Sequence, residues 1–296
     1  MTLPAAAATK ILITGAGGQV GRALLHAAPD DVEVVACTHA DLDVGAGEAV
    51  RECIGRHRPA VIINAAGYTA VDKAESEPEA AKRINAEGPG HLATAAREYG
   101  ARLIHISTDF VFDGAAGVPY RPDSATNPLS VYGRTKRDGE RAVLEALPER
   151  STIVRTAWVY AATGANFLRT MLRIMRANGS VRVVADQVGT PTAARSLAEA
   201  LWRIAADTEI RGIHHWTDAG VASWYDFAVA IAEEGGQLGL LPPDIGVTPI
   251  TTAEYPTPAR RPAYSVLDKR SLAPYGLSPI HWRRRMREVM REIPSA

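Results

Sequence analysis

The sequence has few features that would define its class on their own: it contains two cysteines, no long hydrophobic run and no excess of either charge. Lys and Arg total 33, as do Asp and Glu, so the net charge is zero and no overall field attracts nucleic acid or an anionic membrane. The apolar runs, such as residues 59–66, are too short to span a bilayer. We therefore expect neither nucleic acid nor a membrane as a partner.

Cys37 and Cys53 are too few to cross-link a chain of 296 residues or to form a zinc site alone. Their apolar neighbours predict buried thiols in a reducing compartment, so the cytoplasm is the expected location. Residues 1–9 lack the charged start and the long apolar segment of a signal peptide. We expect them to form a flexible tail.

The first half of the chain alternates short β-branched segments with longer segments of helical periodicity. Strands are predicted at 10–14, 32–36, 60–64, 102–107 and 152–155, and helices at 19–27, 48–57, 80–99 and 129–147, with a break in the third helix at 88–89. Strands separated by helices require crossover connections, which indicate an α/β fold with a doubly wound parallel sheet, Rossmann-like in its arrangement.

The second half has shorter strands and a cluster of prolines at 242–262. Helices are predicted at 166–177 and 191–204, the second capped by Thr190 with Pro191 as its first residue. We expect a dinucleotide-binding domain at 10–160 and a smaller α/β substrate-binding lobe at 161–296. The boundary is soft, with some of the chain returning to the first domain.

A glycine-rich turn follows the first predicted strand, with Gly15, Gly18 and Gly21 spaced as G-x-x-G-x-x-G. Glycines at this position let backbone N–H groups approach a pyrophosphate at the start of a helix, and Gly21 would let that helix pack closely on the sheet. A tight strand–helix turn without a ligand would show the same pattern, so the loop alone does not decide between the two.

Residues 37–41 place no acid directly at the end of the second strand, where NAD-binding proteins usually carry one. A 2′-phosphate would therefore not be repelled, and Arg22 or His39 could accept it, which favours NADPH and leaves NADH open. Asp43 and Val44 could line the adenine site, although Asp43 could equally be a solvated turn residue. Small residues at 64–69, after the third strand, would allow a cofactor to approach closely.

Tyr132 and Lys136 form Tyr-x-x-x-Lys in a predicted helix, a spacing that puts both side chains on one face. An ammonium near a phenol lowers the pKa of the phenol, and such a tyrosine can protonate an alkoxide while a nicotinamide delivers hydride to the carbon. Thr108 ends the strand before this helix, at the sheet edge where open α/β folds bind ligands. An exposed Tyr–Lys pair is the alternative interpretation.

These three features together resemble the extended short-chain dehydrogenase/reductase superfamily. Six longer segments resemble, within it, the dTDP-4-dehydrorhamnose reductase family: NAAGYTAVDKAESE (64–77), STDFVFDG (107–114), NPLSVYGRTKRDGE (127–140), RTAWVY (155–160), DQVGTPT (186–192) and RRPAYSVLD (260–268). The resemblance implies an oxidoreductase that reduces the C4 ketone of a dTDP-sugar with NADPH or NADH. Tyr132 would then be the proton donor, Lys136 its electrostatic partner and ribose ligand, and Thr108 a group that adjusts the phenol.

The motifs and the resemblance together give two sets of predicted contact residues. Those for the cofactor are Gly15, Gly18, Gln19, Val20, Gly21, Asp43, Val44, Ala65, Ala66, Gly67, Tyr68, Thr69, Tyr132 and Lys136. Those for the dTDP-sugar substrate are Thr108, Asp109, Trp158, Asn166, Phe167 and Arg261.

The chain departs from relatives at two positions. Tyr264 stands where many carry Asn, and Arg22 stands where relatives that dimerise around Mg²⁺ carry a glutamate. We therefore expect no metal site, and a homodimer is left open. A nucleotide-sugar dehydratase or epimerase is a second hypothesis, although Phe110 stands where related dehydratases carry Glu. A noncatalytic, dinucleotide-binding regulatory subunit is a third.

Overall fold

A computed structural model describes residues 9–294 of the chain, so most of the predicted tail at 1–9 lies outside the described residues. Thr9, which was assigned to the tail, is instead the first residue of a strand. The strands are β1 (Thr9–Thr14), β2 (Val32–Cys37), β3 (Val61–Asn64), β4 (Arg102–Thr108), β5 (Ser151–Thr156), β6 (Val159–Tyr160), β7 (Ser180–Val184), β8 (Val188–Gly189), β9 (Thr192–Ala193), β10 (Gly212–His215), β11 (Ala222–Ser223) and β12 (Gly246–Ile250).

Six strands form the central sheet in the order β10-β5-β4-β3-β1-β2, and every neighbouring pair is parallel. Parallel pairs need crossovers, which the helices supply on both faces. The helices are α1 (Gln19–His26), α2 (Gly47–His57), α3 (Val71–Ala74), α4 (Pro78–Lys82), α5 (Gly88–Tyr99), α6 (Val131–Ala146), α7 (Phe167–Asn178), α8 (Ala194–Ala206), α9 (Trp224–Gln237) and α10 (Trp282–Arg291). This is the predicted doubly wound α/β fold.

Apolar side chains form a core on each face of the sheet and a third core in the C-terminal part. Ile13 and Ile104 belong to the core that α8 completes, while Leu12 and Leu103 point to the opposite face and pack with α2 and α5. The third core lies between α7, α9 and α10 and contains Phe227. The chain after residue 160 therefore also contributes strand β10 to the central sheet and helix α8 to one of the layers that cover it.

The predicted helix at 80–99 is not interrupted at Gly88-Pro89. Residues Arg83–Glu87 form a π-helical turn that joins α4 to α5, and Pro89 follows this turn as the second residue of α5. Gly100 then ends α5 at φ 79°, a left-handed conformation in which a side chain would be strained.

The predicted helix start at Pro191 is wrong. Residues Thr192–Ala193 form β9, which pairs with β6, and α8 begins only at Ala194. Thr190 does not cap a helix, because its hydroxyl donates to the backbone oxygen of Gly220 at 3.0 Å. Tertiary pairing at this position overrides the local capping signal. No helix within residues 9–294 has the length and apolar character needed to cross a membrane.

Candidate active site

The glycine loop joins β1 to α1 at the carboxyl edge of the sheet. Gly15 has φ 67°, and a Cβ at this residue would lie 2.5 Å from the backbone nitrogen of Ala66, so glycine lets the loop lie directly on the end of β3. Gly18 precedes α1 and has no side chain to cap it, and residues 19–22 include no acid. The N–H groups of the first turn therefore point outwards at the positive end of the helix, as an anion site requires.

Two adjoining cavities lie along this loop and share Gly18, Ala65, Ala66 and Gly67. The loop cavity, of about 460 Å³, is further lined by Gly15, Gly17, His39, Leu42, Val44, Tyr68, Ala80, Arg83 and Ile84. The tyrosine cavity, of about 490 Å³, is further lined by Gln19, Val20, Thr69, Val71, Ile106, Ser107, Thr108, Asp109, Phe110, Tyr132, Lys136, Thr156, Ala157, Trp158, Val159, Ala165, Asn166, Trp224 and Arg261. Together they form an elongated cleft that follows the sheet edge.

Tyr132 lies in the first turn of α6, and the helix begins there because the Ser130 side chain accepts a hydrogen bond from the Gly133 N–H at 3.1 Å. The ring of Phe110 contacts the phenol edge-on, with centroids 5.5 Å apart. Burial raises the pKa of Tyr132 to about 12, and the nearby Thr108 side chain opposes that rise. Tyr132 therefore keeps its proton through the neutral range.

Thr108 is the last residue of β4 and is buried, and its hydroxyl both donates and accepts a hydrogen bond with neighbouring residues. It donates to Asp109 Oδ1 at 3.1 Å and accepts from the Phe110 N–H at 3.2 Å. Burial raises the pKa of the neighbouring Asp109 to about 6. The end of β4 thus places a hydroxyl and a carboxyl group in the lining of the tyrosine cavity, to which α6 adds the Tyr132 phenol.

Lys136 lies one helical turn after Tyr132 and is 5% exposed. Its Nζ donates to the backbone oxygen of Ile106 at 2.6 Å and lies 3.4 Å from Nε2 of His105. Burial lowers the pKa of Lys136 to about 8, against the opposing effect of the Glu140 charge. The sequence predicted that Lys136 lowers the pKa of Tyr132, whereas in the structure burial raises this pKa and the Thr108 side chain opposes the rise.

The chain also matches a family of known proteins over almost its whole length. The model of the family described as RmlD substrate binding domain matches residues 9–294. The chain belongs to the RmlD substrate binding domain family. The predicted family resemblance is thereby confirmed, and the fold class is confirmed by solved structures of the same architecture.

Curated relatives place this RmlD chain among reductases. It is 46% identical to a dTDP-4-dehydrorhamnose reductase of Streptomyces griseus over 283 residues, covering 94% of this chain and 91% of the relative. It is 45% identical to a probable dTDP-4,6-dihydroxy-2-methyloxan-3-one 4-ketoreductase of Streptomyces antibioticus, covering 96% of each. These names confirm the predicted class, an oxidoreductase.

A solved structure provides the cofactor comparison. The dTDP-4-dehydrorhamnose reductase of Bacillus anthracis, in complex with NADP, matches with a TM-score of 0.90 and 32% identity, covering 96% of this chain and 99% of that one. The cofactor class expected from the sequence, a nicotinamide dinucleotide, is the class bound in that RmlD relative.

Three predicted contact residues of the RmlD chain do not line either cavity within residues 9–294. Gly21 lies behind the loop, where a Cβ would overlap the Gly15 carbonyl oxygen and the Ala16 Cα. Asp43 pairs with Arg83 Nη1 at 2.6 Å, which lowers the pKa of Asp43. Phe167 packs behind the cavity wall against Trp224, with centroids 4.6 Å apart. Gly21 thus acts through packing, and Phe167 through support of the wall.

The loop cavity differs in one respect from the sequence prediction for the adenosine site. Of the two basic residues expected there, His39 lines the loop cavity and Arg22 is exposed outside the lining described for residues 9–294. Arg83, which the sequence analysis missed, lines this cavity instead. Its position depends on the π-helical turn, for which the sequence carries no evident signal.

The far wall of the tyrosine cavity is aromatic. Trp158 adopts φ 48° and stacks on Trp224, with ring centroids 3.5 Å apart and planes inclined by 7°. Trp158 was predicted and Trp224 was missed, although the Ser223–Asp226 capping box marks the helix start beside it. A flat apolar wall of this kind suits a planar ring or the apolar face of a sugar.

Two further predicted residues connect the C-terminal part to the loop side of the cleft. The Asn166 amide donates to Gln19 Oε1 at 3.0 Å, which links α7 to the start of α1. Arg261 donates to both oxygens of Asp72, at 3.0 and 2.8 Å, and these bonds lower the pKa of Asp72. Arg261 therefore reaches the cavity as half of an ion pair.

Proposed function

We propose that this chain reduces the C4 ketone of dTDP-4-dehydro-L-rhamnose (dTDP-6-deoxy-L-lyxo-4-hexulose) to dTDP-L-rhamnose with NADPH, NADH being the second possible cofactor. The observation that carries the proposal is the tyrosine cavity, whose lining includes the Tyr132 phenol and the Thr108 hydroxyl beside the glycine loop. The names of the RmlD relatives support the choice of substrate.

The residues present fit a nicotinamide dinucleotide. The N–H groups at the start of α1 and the close contact of Gly15 with β3 suit a pyrophosphate, while Val44, His39 and Arg83 surround the adenosine end. Lys136 and residues 65–69 would hold the ribose and the nicotinamide. When bound, the cofactor supplies the hydride that C4 receives.

The chain's own residues would manage the proton. As C4 gains hydride, its oxygen becomes an alkoxide, which is a stronger base than a phenolate, so Tyr132 can transfer its proton to it. A raised pKa suits this direction because Tyr132 must be protonated to act as an acid. Thr108 would orient the C4 oxygen, and Asp109 would accept a hydrogen bond from a sugar hydroxyl.

We further propose that the sheet half, residues 10–160, holds the cofactor and that much of 161–296 holds the sugar nucleotide. The stacked Trp158 and Trp224, with Asn166 and Arg261, would form the substrate wall. Association of two chains into a homodimer stays a prediction, for which sedimentation equilibrium is the measurement.

The test is loss of NADPH absorbance with the nucleotide keto-sugar as substrate. We expect turnover by the unaltered chain and a loss of at least a hundredfold in Tyr132→Phe, because positioned acid catalysis contributes about that much. Tyr132→Phe should still bind NADPH in a fluorescence titration. Equal turnover by both proteins would refute the assigned role of Tyr132, and no turnover by either would refute the proposed reaction.

One relative supports a second candidate substrate. The name of the Streptomyces antibioticus protein describes a 4-keto sugar that lacks the C2 hydroxyl, and its identity to this chain is nearly that of the rhamnose-named relative. The chemistry at C4 is the same for both sugars. A comparison of kcat/KM for the two nucleotide sugars decides between them.

Phe110 in the cavity argues against a dehydratase, because phenylalanine cannot move a proton.

A further inference from the structure

A row of buried polar side chains crosses the sheet beneath Lys136. Thr14, Asn64 and His105 lie opposite one another on β1, β3 and β4, and each is at most 1% exposed. The row is continuous, since Thr14 Oγ1 donates to Asn64 Oδ1 at 2.7 Å and Asn64 Nδ2 lies 2.9 Å from His105 Nδ1. Burying polar groups destabilises a fold unless they form hydrogen bonds, so a row of this kind indicates a role for these side chains.

The hydrogen bonds determine where the imidazole carries its proton. Asn64 Oδ1 accepts from both the Thr14 hydroxyl and the Ala66 N–H, the latter at 3.1 Å, so the amide nitrogen is the atom that faces His105. An amide nitrogen only donates, and His105 Nδ1 must therefore accept. Burial and the Lys136 charge hold the pKa of His105 well below its usual value. His105 is thus a neutral ring with its proton on Nε2.

This Nε2–H points towards Lys136 Nζ, 3.4 Å away. Facing an ammonium group, it sets a donor against a donor; facing a neutral amine, it donates to the nitrogen lone pair. The other groups around Nζ are the Ile106 carbonyl, which accepts in either state, and Glu140, whose charge favours the ammonium. Glu140 is itself paired with Arg155, so its charge is largely compensated.

We propose that His105 is a positioning residue that stabilises the neutral amine of Lys136 and so lets Lys136 return a proton to Tyr132. The proposal rests on the proposed function. After Tyr132 has protonated the C4 oxygen, it is a phenolate. Lys136, one turn away on the wall of the same cavity, gives it a proton and becomes an amine, which accepts the Nε2–H of His105. Water reprotonates Lys136 when product leaves.

The first test needs no turnover. In protein labelled with ¹⁵N-histidine, assigned with His105→Asn, we expect His105 to be neutral with its proton on Nε2 between pH 6 and 9. Its Nε2 signal should shift as Lys136 titrates near pH 8, and this shift should be absent in Lys136→Met. A proton on Nδ1, or an Nε2 signal indifferent to Lys136→Met, would overturn the proposal whether or not the sugar is a substrate.

The second test is a matched pair of variants. The amide nitrogen of His105→Gln reaches where Nε2 lies and can donate to Lys136, whereas the shorter His105→Asn reaches only Asn64. If Lys136 must be protonated for the relay, kcat falls as pH rises through its pKa. His105→Asn should move this alkaline limb up by about one pH unit and lower kcat about tenfold with KM unchanged, while His105→Gln keeps the limb. Identical limbs in both variants would contradict the proposal.

Discussion

The buried ion pair between Glu140 and Arg155 lies directly beneath the site, and we predict that removing the Glu140 charge destabilises the fold. Both side chains are 3% exposed, and the two bonds between them, Nη2 to Oε2 at 2.7 Å and Nε to Oε1 at 2.9 Å, make the pair bidentate. The Ser107 hydroxyl also donates to Glu140. Glu140→Gln keeps the shape but leaves the Arg155 guanidinium buried without a counter-charge.

An uncompensated buried charge costs about 3–5 kcal/mol, which for a chain of this size lowers Tm by roughly 10 °C. We expect Glu140→Gln to show that loss in urea unfolding followed by tryptophan fluorescence. Glu145→Gln, an exposed position on the same helix, is the matched control and should change stability by less than about 0.5 kcal/mol. Glu140→Gln combined with Arg155→Met, which removes both charges, should recover much of the loss.

The same variant makes a prediction for the pH profile, with the opposite sign to that of His105→Asn. The Glu140 charge raises the pKa of Lys136, so its removal should bring that pKa below about 8 and move the alkaline limb of kcat to lower pH. Stability within 1 kcal/mol of the Glu145→Gln control, or a limb displaced to higher pH, would refute the reasoning.

Three further predictions concern the two ends of the cleft. Arg83→Met should weaken the binding of NADPH about tenfold more than that of NADH in fluorescence titrations, because a cation that lines the proposed adenosine site is lost, and Lys82→Met, an exposed neighbour, should leave both affinities unchanged. Trp224→Ala should raise KM for the nucleotide sugar about tenfold with kcat little changed, whereas Tyr255→Ala, an exposed aromatic, should not. Gly21→Ala should weaken NADPH and destabilise the fold by about 1–3 kcal/mol in calorimetry, since the added Cβ overlaps the glycine loop; an unchanged Tm would contradict this.

The fold was largely predictable because its signals are local. Each β-branched run that was predicted to be a strand of the first half became one within two residues, since a strand buried on both faces needs a continuous apolar segment. The start of α8 was not predictable in this way. Thr190 and Pro191 carry a capping signal, but the chain there pairs with β6 and contacts Gly220, which lies far away in sequence.

The residues of the candidate site likewise fall into those that local sequence predicts and those that only the fold positions. The approach of Tyr132, Lys136 and Thr108 to one cavity follows from an i, i+4 helix spacing and from a strand that ends at the ligand-binding edge of a parallel sheet, and both are properties of short segments. His105, Arg83 and Trp224 gain their places from strand register, a π-helical turn and a stacked partner. A polar residue inside the apolar strand β4 was the one available sign of His105.

Charge states needed the folded molecule most of all. The sequence identifies a phenol and an ammonium one turn apart, and from that spacing we expected the lysine to lower the tyrosine's pKa. In the fold, burial raises the pKa of Tyr132 and lowers that of Lys136, and Lys136 Nζ donates to the Ile106 carbonyl oxygen with His105 Nε2 3.4 Å away. Desolvation depends on everything packed around a group, whereas a motif specifies only the group and its neighbours along the chain. The residue pattern therefore determines which chemical groups meet, and the packing determines which of them carry a proton.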